Sequence, residues 1–277
     1  MTLQQYSSKD LLWYGSSHLD VIHGMFTRLG GVSIPPHASL NLSRGVGDDP
    51  QAVEDNRSVI KQALSITRIV ALGQVHGDKI LKVMEGEKDL EVNGYDALVS
   101  NIPGTGLLIQ QADCQAVLLH DPTRGVIGAA HCGWRGTIAN IIAKTIDMMI
   151  SEYFIDPKNL LALISPSLGP CCAQFINHQA ELPNISPKYR VYGDHFNFWE
   201  ISRDQLRDSG VQETNIVSSK ICTSCDERFF SYRRAVRSGY PITGRNGSVI
   251  ALPKFEAKKI AVNEERDHKP RGHDRNR

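Results

Sequence analysis

Residues 97–136 read ALVSNIPGTGLLIQQADCQAVLLHDPTRGVIGAAHCGWRG. This stretch contains four apolar segments separated by short turns, and several of them are apolar at consecutive rather than alternate positions. Continuous apolar runs of this length are typical of strands whose two faces are both buried. We therefore predict a buried sheet in the middle of the chain, with strands at 97–100, 106–112, 116–119 and 126–131.

Helical and strand patterns continue on both sides of this stretch. A helix is predicted from the residue after Gly136 to about Tyr153, because Ile138, Ile142 and Met149 recur on one helical face. Further strands are predicted at 21–27, 68–75, 79–84 and 160–164, and a long turn-rich loop is predicted at 28–47.

A second helix is predicted from Pro50 to about Leu64, and it carries an arginine on its apolar face. Arg57 lies four residues after Val53 and three before Ile60, so it projects from the side that should be buried. One interpretation is an arginine at the edge of the apolar face with its charged end in water. The other is a desolvated guanidinium held for an anionic ligand.

The order of these patterns predicts a single α+β catalytic domain over residues 1–253, with no linker inside it. The last part of the chain differs in composition, since residues 263–277 contain no aliphatic or aromatic residue. Such a segment cannot bury enough apolar surface to offset the entropy of ordering it. We predict a charged tail at 254–277, disordered from about residue 263.

Composition excludes several classes of protein. The 277 residues carry 31 Lys and Arg against 30 Asp and Glu, so the net charge is +1 and provides no bulk field for nucleic acid or a membrane surface. No apolar run approaches the roughly 20 residues that span a bilayer, and the N-terminus does not resemble a signal peptide. We expect a cytoplasmic protein, with reduced thiols or metal ligands among its six cysteines.

Three short motifs place metal-ligating side chains at predicted strand ends: GQVHG at 73–77, ADC at 112–114 and HCGWRG at 131–136. His76, Cys114 and His131 would together offer zinc two imidazole nitrogens and a thiolate, with a fourth position open for water or substrate. By residue type alone, the same side chains could be histidines bonded to the backbone and a thiol in the core. Both interpretations stay open at this point.

Other arrangements of the cysteines and histidines are also possible. Cys222 and Cys225 form a C-x-x-C motif that could join Cys171 and Cys172 in a four-sulfur site. Zinc ribbons need two separated pairs, and adjacent cysteines do not easily ligate one ion together, so only half a ribbon is indicated. Alternatively, Cys114 could be a nucleophile activated by a histidine base.

The HCGWRG motif also suggests an anion site. Gly133 and Gly136 flank Trp134 and Arg135 at the predicted start of a helix, where backbone amides favour phosphate or carboxylate. A glycine-bearing turn that packs Trp134 in the core explains the motif equally well. No Walker motif or G-x-G-x-x-G fingerprint occurs, so the sequence gives no support for ATP or NAD binding.

Taken together, these motifs resemble the laccase-domain, or YfiH-like, family, whose members are also called multicopper polyphenol oxidoreductases. The resemblance runs in the expected order over about residues 20–252. It is carried by TRLGGVS at 27–33, SLNL at 39–42, VGDDP at 46–50, NR at 56–57, the three motifs above, GPCC at 169–172, CTSC at 222–225, FFSYRR at 229–234 and TGR at 243–245.

The resemblance implies a four-layer αββα sandwich, distantly similar to the cytotoxic-necrotising-factor cysteine hydrolases. It also implies a metal held by His76, Cys114 and His131, and an active-site role for Arg57. The implied activity is phosphorolysis of adenosine, inosine, guanosine and 5′-methylthioadenosine to free base and ribose 1-phosphate, together with deamination of adenosine. Small-molecule nucleosides are then the expected partners, and the sequence is compatible with a monomer.

From the residues and the resemblance together we assign provisional roles. The expected cofactor is Zn²⁺, with copper as an alternative, and phosphate is the expected co-substrate. The predicted catalytic residues are Arg57, Asp113, which could orient a ligand or move a proton, and Cys114. The predicted substrate-binding or phosphate-binding residues are Asn41, Arg57, Gly133 and Arg135.

The chain departs from the family pattern in two motifs. Where the family usually reads S-L-N-L-G-x-H-V-G, this chain has Ser43 and Gly45 in place of the glycine and the histidine. His37 replaces an aromatic residue before the same motif, and Cys132 replaces an alanine beside His131. The predicted metal ligands are unchanged, so these departures bear on substrate preference.

Four functions remain to be distinguished. The leading one is a zinc-dependent purine nucleoside phosphorylase with adenosine deaminase activity. The others are a copper-dependent polyphenol oxidase, a Cys/His hydrolase that edits peptidoglycan precursors, and a metal-binding protein without turnover. A multicopper centre needs many histidine ligands, and this chain has ten histidines, none of them in an H-x-H pair.

Overall fold

Two β-sheets packed face to face form the centre of the structure, a computed structural model that describes residues 3–183 and 185–254. The strands are β1 (Leu3–Ser8), β2 (Leu11–Ser16), β3 (Ile22–Phe26), β4 (Arg68–Gly73), β5 (Ile80–Lys82), β6 (Leu90–Asn93), β7 (Ala97–Ser100), β8 (Thr105–Gln111), β9 (Gln115–Asp121), β10 (Val126–Cys132), β11 (Leu161–Ile164), β12 (Arg190–Tyr192), β13 (His195–Phe196), β14 (Ile216–Ser218) and β15 (Asn246–Ala251). The α-helices are α1 (Pro50–Leu64), α2 (Trp134–Ile138), α3 (Ile141–Tyr153), α4 (His178–Glu181), α5 (Phe198–Asp208) and α6 (Tyr232–Arg237).

The larger sheet has seven strands in the order β1-β2-β3-β15-β8-β4-β6. Its pairs are antiparallel except that β4 runs parallel to both β6 and β8. The second sheet has six strands in the order β14-β11-β9-β10-β7-β5, and its outermost pair at each end is parallel. In the larger sheet, β15 lies between β3 and β8, although more than 130 residues separate it from β8 in sequence.

Three apolar clusters define four layers. Between the sheets, side chains such as Leu72 and Ile109 of the larger sheet meet Leu118 and Ile127 of the smaller one. Helix α1 covers the outer face of the larger sheet, and α3 and α5 cover the outer face of the smaller one. The predicted four-layer αββα arrangement of an α+β chain is therefore confirmed.

Helix α1 has the predicted bounds, because its ends are defined locally. Asp49 accepts a hydrogen bond from the amide of Gln51, and Pro50 occupies the first turn. The predicted helix after Gly136 is wrong in one respect, since it is split into α2 and α3. Asn140 has a left-handed backbone with φ of 53° and caps α3 through the amide of Ala143. An asparagine tolerates that conformation, so the first helix ends there.

The predicted strands are present, with shorter ends at Gly73 and Lys82 than the apolar patterns indicated. The pattern did not predict strands β1, β2, β6, β12, β13, β14 and β15 or helices α4, α5 and α6. The predicted tail at 254–277 lies outside the described residues except for Lys254, so this domain boundary stays a prediction. In the part of the chain that the structure describes, no helix is both long enough and apolar enough to cross a bilayer.

The packing between the two sheets predicts how much a shortened core side chain lowers the stability of the protein. Leu118 is fully buried between the two sheets, whereas Leu90 on β6 is 45% exposed. We expect Leu118→Ala to lower the free energy of unfolding by about 2–5 kcal/mol, because the cavity cannot close between two rigid sheets. Leu90→Ala is the matched control and should cost clearly less. Urea unfolding of both variants measures the difference, and equal losses would contradict the assigned core.

Candidate active site

His76, Cys114 and His131 lie together at one edge of the two packed sheets. Each offers one ligand atom, and the three atoms lie within 4.8 Å of one another. The Cys114 Sγ is 3.7 Å from His76 Nε2, and the two imidazole rings meet edge to face with centroids 4.8 Å apart. The side chains that the sequence analysis singled out therefore lie close together, and their role as metal ligands stays a prediction.

Strand pairing explains why residues so far apart in sequence meet. Strands β9 and β10 are antiparallel with Cys132 opposite Gln115, so the end of β10 lies beside the turn that carries Cys114. Strand β10 also pairs with β7, in a register that sets Ala130 opposite Ala97. This register brings the residue before β7, Asp96, next to His131.

Asp96 organises both histidines, and the sequence analysis missed it. Its fully buried carboxylate accepts hydrogen bonds from the amides of Val75, His76 and Gly77 at 2.7–3.2 Å. It also contacts Nδ1 of His131 at 2.8 Å. An aspartate in that position keeps the proton on Nδ1 and leaves Nε2 free to ligate. The signal in the sequence was a single acidic residue at the start of a fully buried strand.

Gly133 provides the space in which the three ligands meet. A Cβ at this position would lie 2.6 Å from His76 Cδ2 and 3.4 Å from both Cys114 Sγ and His131 Cε1. Its φ of −72° suits any residue, so space alone requires glycine here. His76 itself has a left-handed backbone with φ of 59°, and the Asp96 carboxylate holds the amides on both sides of it.

The ligands form a polarised group even without an ion. Burial alone would raise the pKa of the Cys114 thiol, but the charge of His131 and hydrogen bonds from His131 and His76 lower it to about 6. Burial would likewise lower the pKa of His131, but the Cys114 thiolate and the Asp96 carboxylate raise it to about 9. The metal-free group is therefore a thiolate beside an imidazolium near neutral pH.

The three ligands line a pocket of about 820 Å³, large enough for a nucleoside-sized molecule. The pocket walls come from the ends of β4, β8 and β10, from the turn around Ser43 to Val46, and from several loops of the C-terminal half. Aromatic side chains border it, and the rings of Phe175 and Phe198 lie 5.2 Å apart. Trp134 and the half-exposed Tyr232 also line it.

Asp113, a predicted catalytic residue, borders the pocket but is already engaged. One carboxylate oxygen accepts a hydrogen bond from Thr223 Oγ1 at 2.7 Å, and the other accepts one from the amide of Arg233 at 2.6 Å. Its backbone φ is 87°, in the left-handed region. The geometry therefore shows Asp113 fastening the turn that carries Cys114 to the C-terminal half of the domain.

Two predicted phosphate-binding residues, Arg57 and Asn41, are not among the residues that line the pocket. The guanidinium of Arg57 is buried, as one interpretation expected, but it donates to the Leu42 carbonyl at 2.8 and 3.0 Å and pairs with Glu91 at 2.9 Å. Asn41 is fully buried and bonds to its own loop and to the amide of Arg245. Both residues therefore support the loop that precedes α1.

Arg245 was not assigned a role from the sequence, although it ends the TGR motif. It lines the pocket, and its Nη1 donates to the carbonyls of Thr243 and Gly244 at 2.8 and 3.2 Å. Among the described residues, no carboxylate lies within 4 Å of its guanidinium, and burial lowers its pKa from the usual value. A partly desolvated cation without an acidic partner is well suited to bind an anion.

The other predicted anion-binding residues do reach the pocket. Gly133 lines it, and the exposed Arg135 also lines it while its guanidinium stacks on Trp134 at 4.1 Å. Helix α2 has only five residues, so its start contributes little dipole. Arg233 also lines the pocket, and it donates to the Gln174 carbonyl at 3.0 Å.

The departures from the family pattern fall around the same pocket. Ser43 caps the short turn at Arg44–Val46 and lines the pocket together with Gly45. His37 reaches the Val46 carbonyl at 3.1 Å. The Cys132 thiol is buried, and burial raises its pKa far above the usual value, so it stays neutral beside the ligand group.

Comparison with known proteins shows the family. The family described as multi-copper polyphenol oxidoreductase laccase matches residues 22–253, and the chain therefore belongs to this laccase-domain family. It is similar to the purine nucleoside phosphorylase YfiH of Escherichia coli (strain K12), with 35% identity over 235 residues that cover 82% of this chain and 91% of the relative.

Solved structures agree with this assignment. The crystal structure of YlmD from Geobacillus stearothermophilus matches with a TM-score of 0.82 at 31% identity, covering 91% of this chain and 99% of that one. The crystal structure of the Bacillus licheniformis hypothetical protein YfiH matches with a TM-score of 0.80 at 30% identity, covering 90% and 98%. The likeness therefore extends over nearly the whole described chain.

The packing around Gly133 predicts the effect of adding one methyl group. Gly133→Ala should push His76 out of the ligand group and weaken zinc binding by about 10- to 100-fold, the usual range when ligand orientation is lost. Gly45→Ala is the matched control, because a Cβ there meets only Ser43 Oγ at 3.7 Å. Competition titration with a zinc chelator measures both affinities. Unchanged zinc affinity in Gly133→Ala would show that the ligand group does not depend on this space.

The lowered pKa of Cys114 predicts its reactivity. In chelator-treated protein, iodoacetamide should label Cys114 with a pH midpoint near 6 rather than the usual value of about 8.5. The reactive thiolate is present above that midpoint and is lost as the pH falls through it. Peptide mass spectrometry across the pH range measures the labelling. Asp96→Asn should move the midpoint of Cys114 labelling to higher pH, because His131 then holds its positive charge less well. A midpoint near 8.5 in the wild-type protein would rule out the ion pair between Cys114 and His131.

Proposed function

We propose that this protein is a metal-dependent purine nucleoside phosphorylase, which converts a purine nucleoside and phosphate into a free base and ribose 1-phosphate. One observation carries the proposal: a three-ligand metal group and an arginine without an acidic partner line the same nucleoside-sized pocket. The 35% identity to a relative named as a purine nucleoside phosphorylase supports the same reaction.

The donor set suits zinc. Two imidazole nitrogens and a thiol whose pKa is lowered to about 6 converge within 4.8 Å, and the Asp96 carboxylate leaves Nε2 of His131 free. Three protein ligands are the usual number in catalytic zinc sites. We propose that His76, Cys114 and His131 hold Zn²⁺, which supplies Lewis-acid chemistry at the end of the pocket. Copper is the alternative ion for the same ligands.

The phosphate is assigned to the cationic wall of the pocket. Arg245 provides a guanidinium whose remaining N–H groups have no acceptor among the described residues, and Arg135 and Arg233 add positive charge nearby. Guanidinium groups bind phosphate oxygens in pairs with strong, charge-assisted hydrogen bonds. We place the phosphate here rather than at Arg57 and Asn41. The Arg57 guanidinium is already bonded to the Leu42 carbonyl and to Glu91, and the Asn41 side chain is bonded to its own loop and to the amide of Arg245.

The purine is assigned to the aromatic side of the pocket. Phe175 and Phe198 line the pocket and offer apolar faces on which a planar base can stack, and Asn177 and Glu181 also line it. Adenosine, inosine, guanosine and 5′-methylthioadenosine share the purine and the ribose, so they would occupy the same volume. Their differences fall at the base edge and at the 5′ position.

The reaction then needs little covalent chemistry from the protein. A phosphate oxygen attacks the C1′ atom of the ribose while the bond from C1′ to the purine nitrogen breaks, and the base leaves with that electron pair and takes up a proton. The residues position the two reactants and hold the phosphate charge in a partly desolvated pocket. Deamination of adenosine to inosine and ammonia, with water in place of phosphate, is proposed as a second activity of the same site.

The test of this function is Cys114→Ala. Zinc content and the release of adenine and ribose 1-phosphate from adenosine and phosphate are measured on the same preparations, with inosine and hypoxanthine reporting deamination. We expect both the bound metal at this site and phosphorolysis to be lost. Wild-type activity in a variant that no longer holds that ion would refute a metal-dependent reaction, and wild-type protein without turnover would support a metal-binding protein instead.

The assignment of phosphate to Arg245 makes a separate prediction. Arg245→Ala should raise the KM for phosphate by about 10- to 100-fold, since a hydrogen bond to a charged group contributes about 1.5–3 kcal/mol. Zinc content should be unchanged. Arg124→Ala is the control, because Arg124 is exposed on the turn between β9 and β10 and does not line the pocket. A phosphate KM that stays within twofold of wild type would remove Arg245 from the phosphate site.

One observation favours a second candidate function. Cys114, His131 and Asp96 are arranged as a nucleophile, a base and an acid that orients the base, which is the arrangement of a Cys/His hydrolase. Such an enzyme, for example one that edits peptidoglycan precursors, would remain active in chelator-treated protein and would form a covalent adduct on Cys114. Turnover of amide substrates by metal-free protein distinguishes it from the phosphorylase.

A multicopper oxidase has less support. The described residues contain two groups of side chains able to hold a metal, and only the group at His76, Cys114 and His131 includes histidine. A multicopper centre draws on many more histidines. These ligands therefore suit a single ion, and polyphenol oxidation by copper-loaded protein, assayed beside phosphorolysis by zinc-loaded protein, decides between the two.

A further inference from the structure

Four of the six cysteines lie together outside the pocket. Cys171 and Cys172 follow Gly169 in a tight turn, and Cys222 and Cys225 lie in the turn after β14. The four sulfur atoms lie within 4.8 Å of one another, and Cys225 Sγ is 3.5 Å from both Cys171 Sγ and Cys172 Sγ. We refer to these residues as the four-cysteine cluster.

These separations suit a metal better than a disulfide. All four cysteines are free thiols, and 3.5 Å is far longer than the covalent sulfur–sulfur bond of about 2.05 Å. In a tetrahedral zinc site with Zn–S bonds of about 2.3 Å, neighbouring sulfurs lie about 3.8 Å apart. The sulfurs of the cluster therefore already have nearly the spacing that one ion requires.

The structure also overturns the objection to the adjacent cysteines. The amides of Cys172 and Ala173 both donate to the Gly169 carbonyl at 2.9 Å, which closes a turn. This turn presents both adjacent sulfurs to Cys225, which the spacing in the sequence did not predict. Gly169 has to be small here, since a Cβ would lie 2.8 Å from Trp199 and 3.0 Å from Cys222 Cβ.

Two polar groups outside the cluster are directed at its sulfurs. The amide of Gly169 donates a hydrogen bond to Cys222 Sγ at 3.2 Å. Arg237 places a guanidinium nitrogen 4.0 Å from Cys172 Sγ. Backbone amides and cations directed at sulfur stabilise its ionised form, as do the groups around metal-bound cysteines in proteins. Four sulfurs within 4.8 Å of one another can all ionise together only around a cation, because like charges at this distance repel.

We propose that the four-cysteine cluster binds one zinc ion through its four sulfurs, at a site separate from His76, Cys114 and His131. Four protein ligands leave no position open for substrate, so the ion is structural. It joins the turn at 169–173 to the turn at 222–225. The first turn leads into the pocket wall at Gln174 and Phe175, and the second contains Thr223, which holds Asp113.

The first experiment counts metal ions. Full-length protein purified under reducing conditions with zinc is analysed by mass spectrometry of the metal and by protein concentration. We expect two zinc ions per chain in wild type and one in Cys114→Ala. The double variant Cys222→Ser/Cys225→Ser should retain one, and Glu227→Ala, a control at an exposed residue just after the same turn, should retain two. No zinc in Cys114→Ala would overturn the proposal.

The second experiment does not depend on a variant of the cluster folding. X-ray absorption at the zinc edge of Cys114→Ala protein should show four sulfur ligands at about 2.3 Å and no nitrogen or oxygen ligand. Mixed ligands would overturn the proposal. So would disulfides between the two turns in protein handled without air, found by peptide mapping. Because Cys114→Ala removes the ligand group of the proposed phosphorylase, either result is independent of whether that function is correct.

Discussion

The geometry of the pocket depends on one buried carboxylate. Asp96 sits at the start of β7 and bonds at once to three amides of the loop that carries His76 and to the ring of His131. A buried charge of this kind is stable only when its partners are in place, so its desolvation enforces one arrangement of loop and strand. Cys114 is then brought to the two histidines by the pairing of β9 with β10. The site is thus built from sheet register and one polar network rather than from a contiguous motif.

The charged side chains at and behind the pocket have different roles, which follow from the partners that each one has. The buried guanidinium of Arg57 pairs with Glu91 and donates to the Leu42 carbonyl, so it stabilises the pocket wall without facing the pocket. The guanidinium of Arg245 is bonded only to the carbonyls of Thr243 and Gly244, and its other N–H groups stay available to a ligand. Arg57 and the less buried Arg245 therefore have different roles, and the difference lies in whether an acidic side chain is within reach. The same criterion separates Asp113, whose oxygens are both engaged, from a carboxylate free to move a proton.

Much of the local structure could be predicted from the sequence, and less of the long-range structure. Helix α1 and the strands around the ADC and HCGWRG motifs were found because their caps and apolar runs are local features, and the three ligands were found because each follows or ends such a run. Asp96 and Arg245 were missed, since their importance arises from pairing with residues that are distant in sequence. Arg57 was placed on the apolar face of its helix with two interpretations left open. The structure has it buried, and its partner Glu91 lies on a strand that the pattern did not show. The four-sulfur arrangement depends on a turn that spacing alone could not reveal.

The position of β15 has a consequence for how the chain reaches this form. It lies in the interior of the larger sheet, between β3 and β8, yet the ribosome makes it after all the other described strands. Until it arrives, β3 and β8 each have an unpaired edge, and the apolar layer over Leu108 and Val249 cannot close. Open edges of this kind attract other chains. The larger sheet can therefore be completed only after its last described strand has left the ribosome.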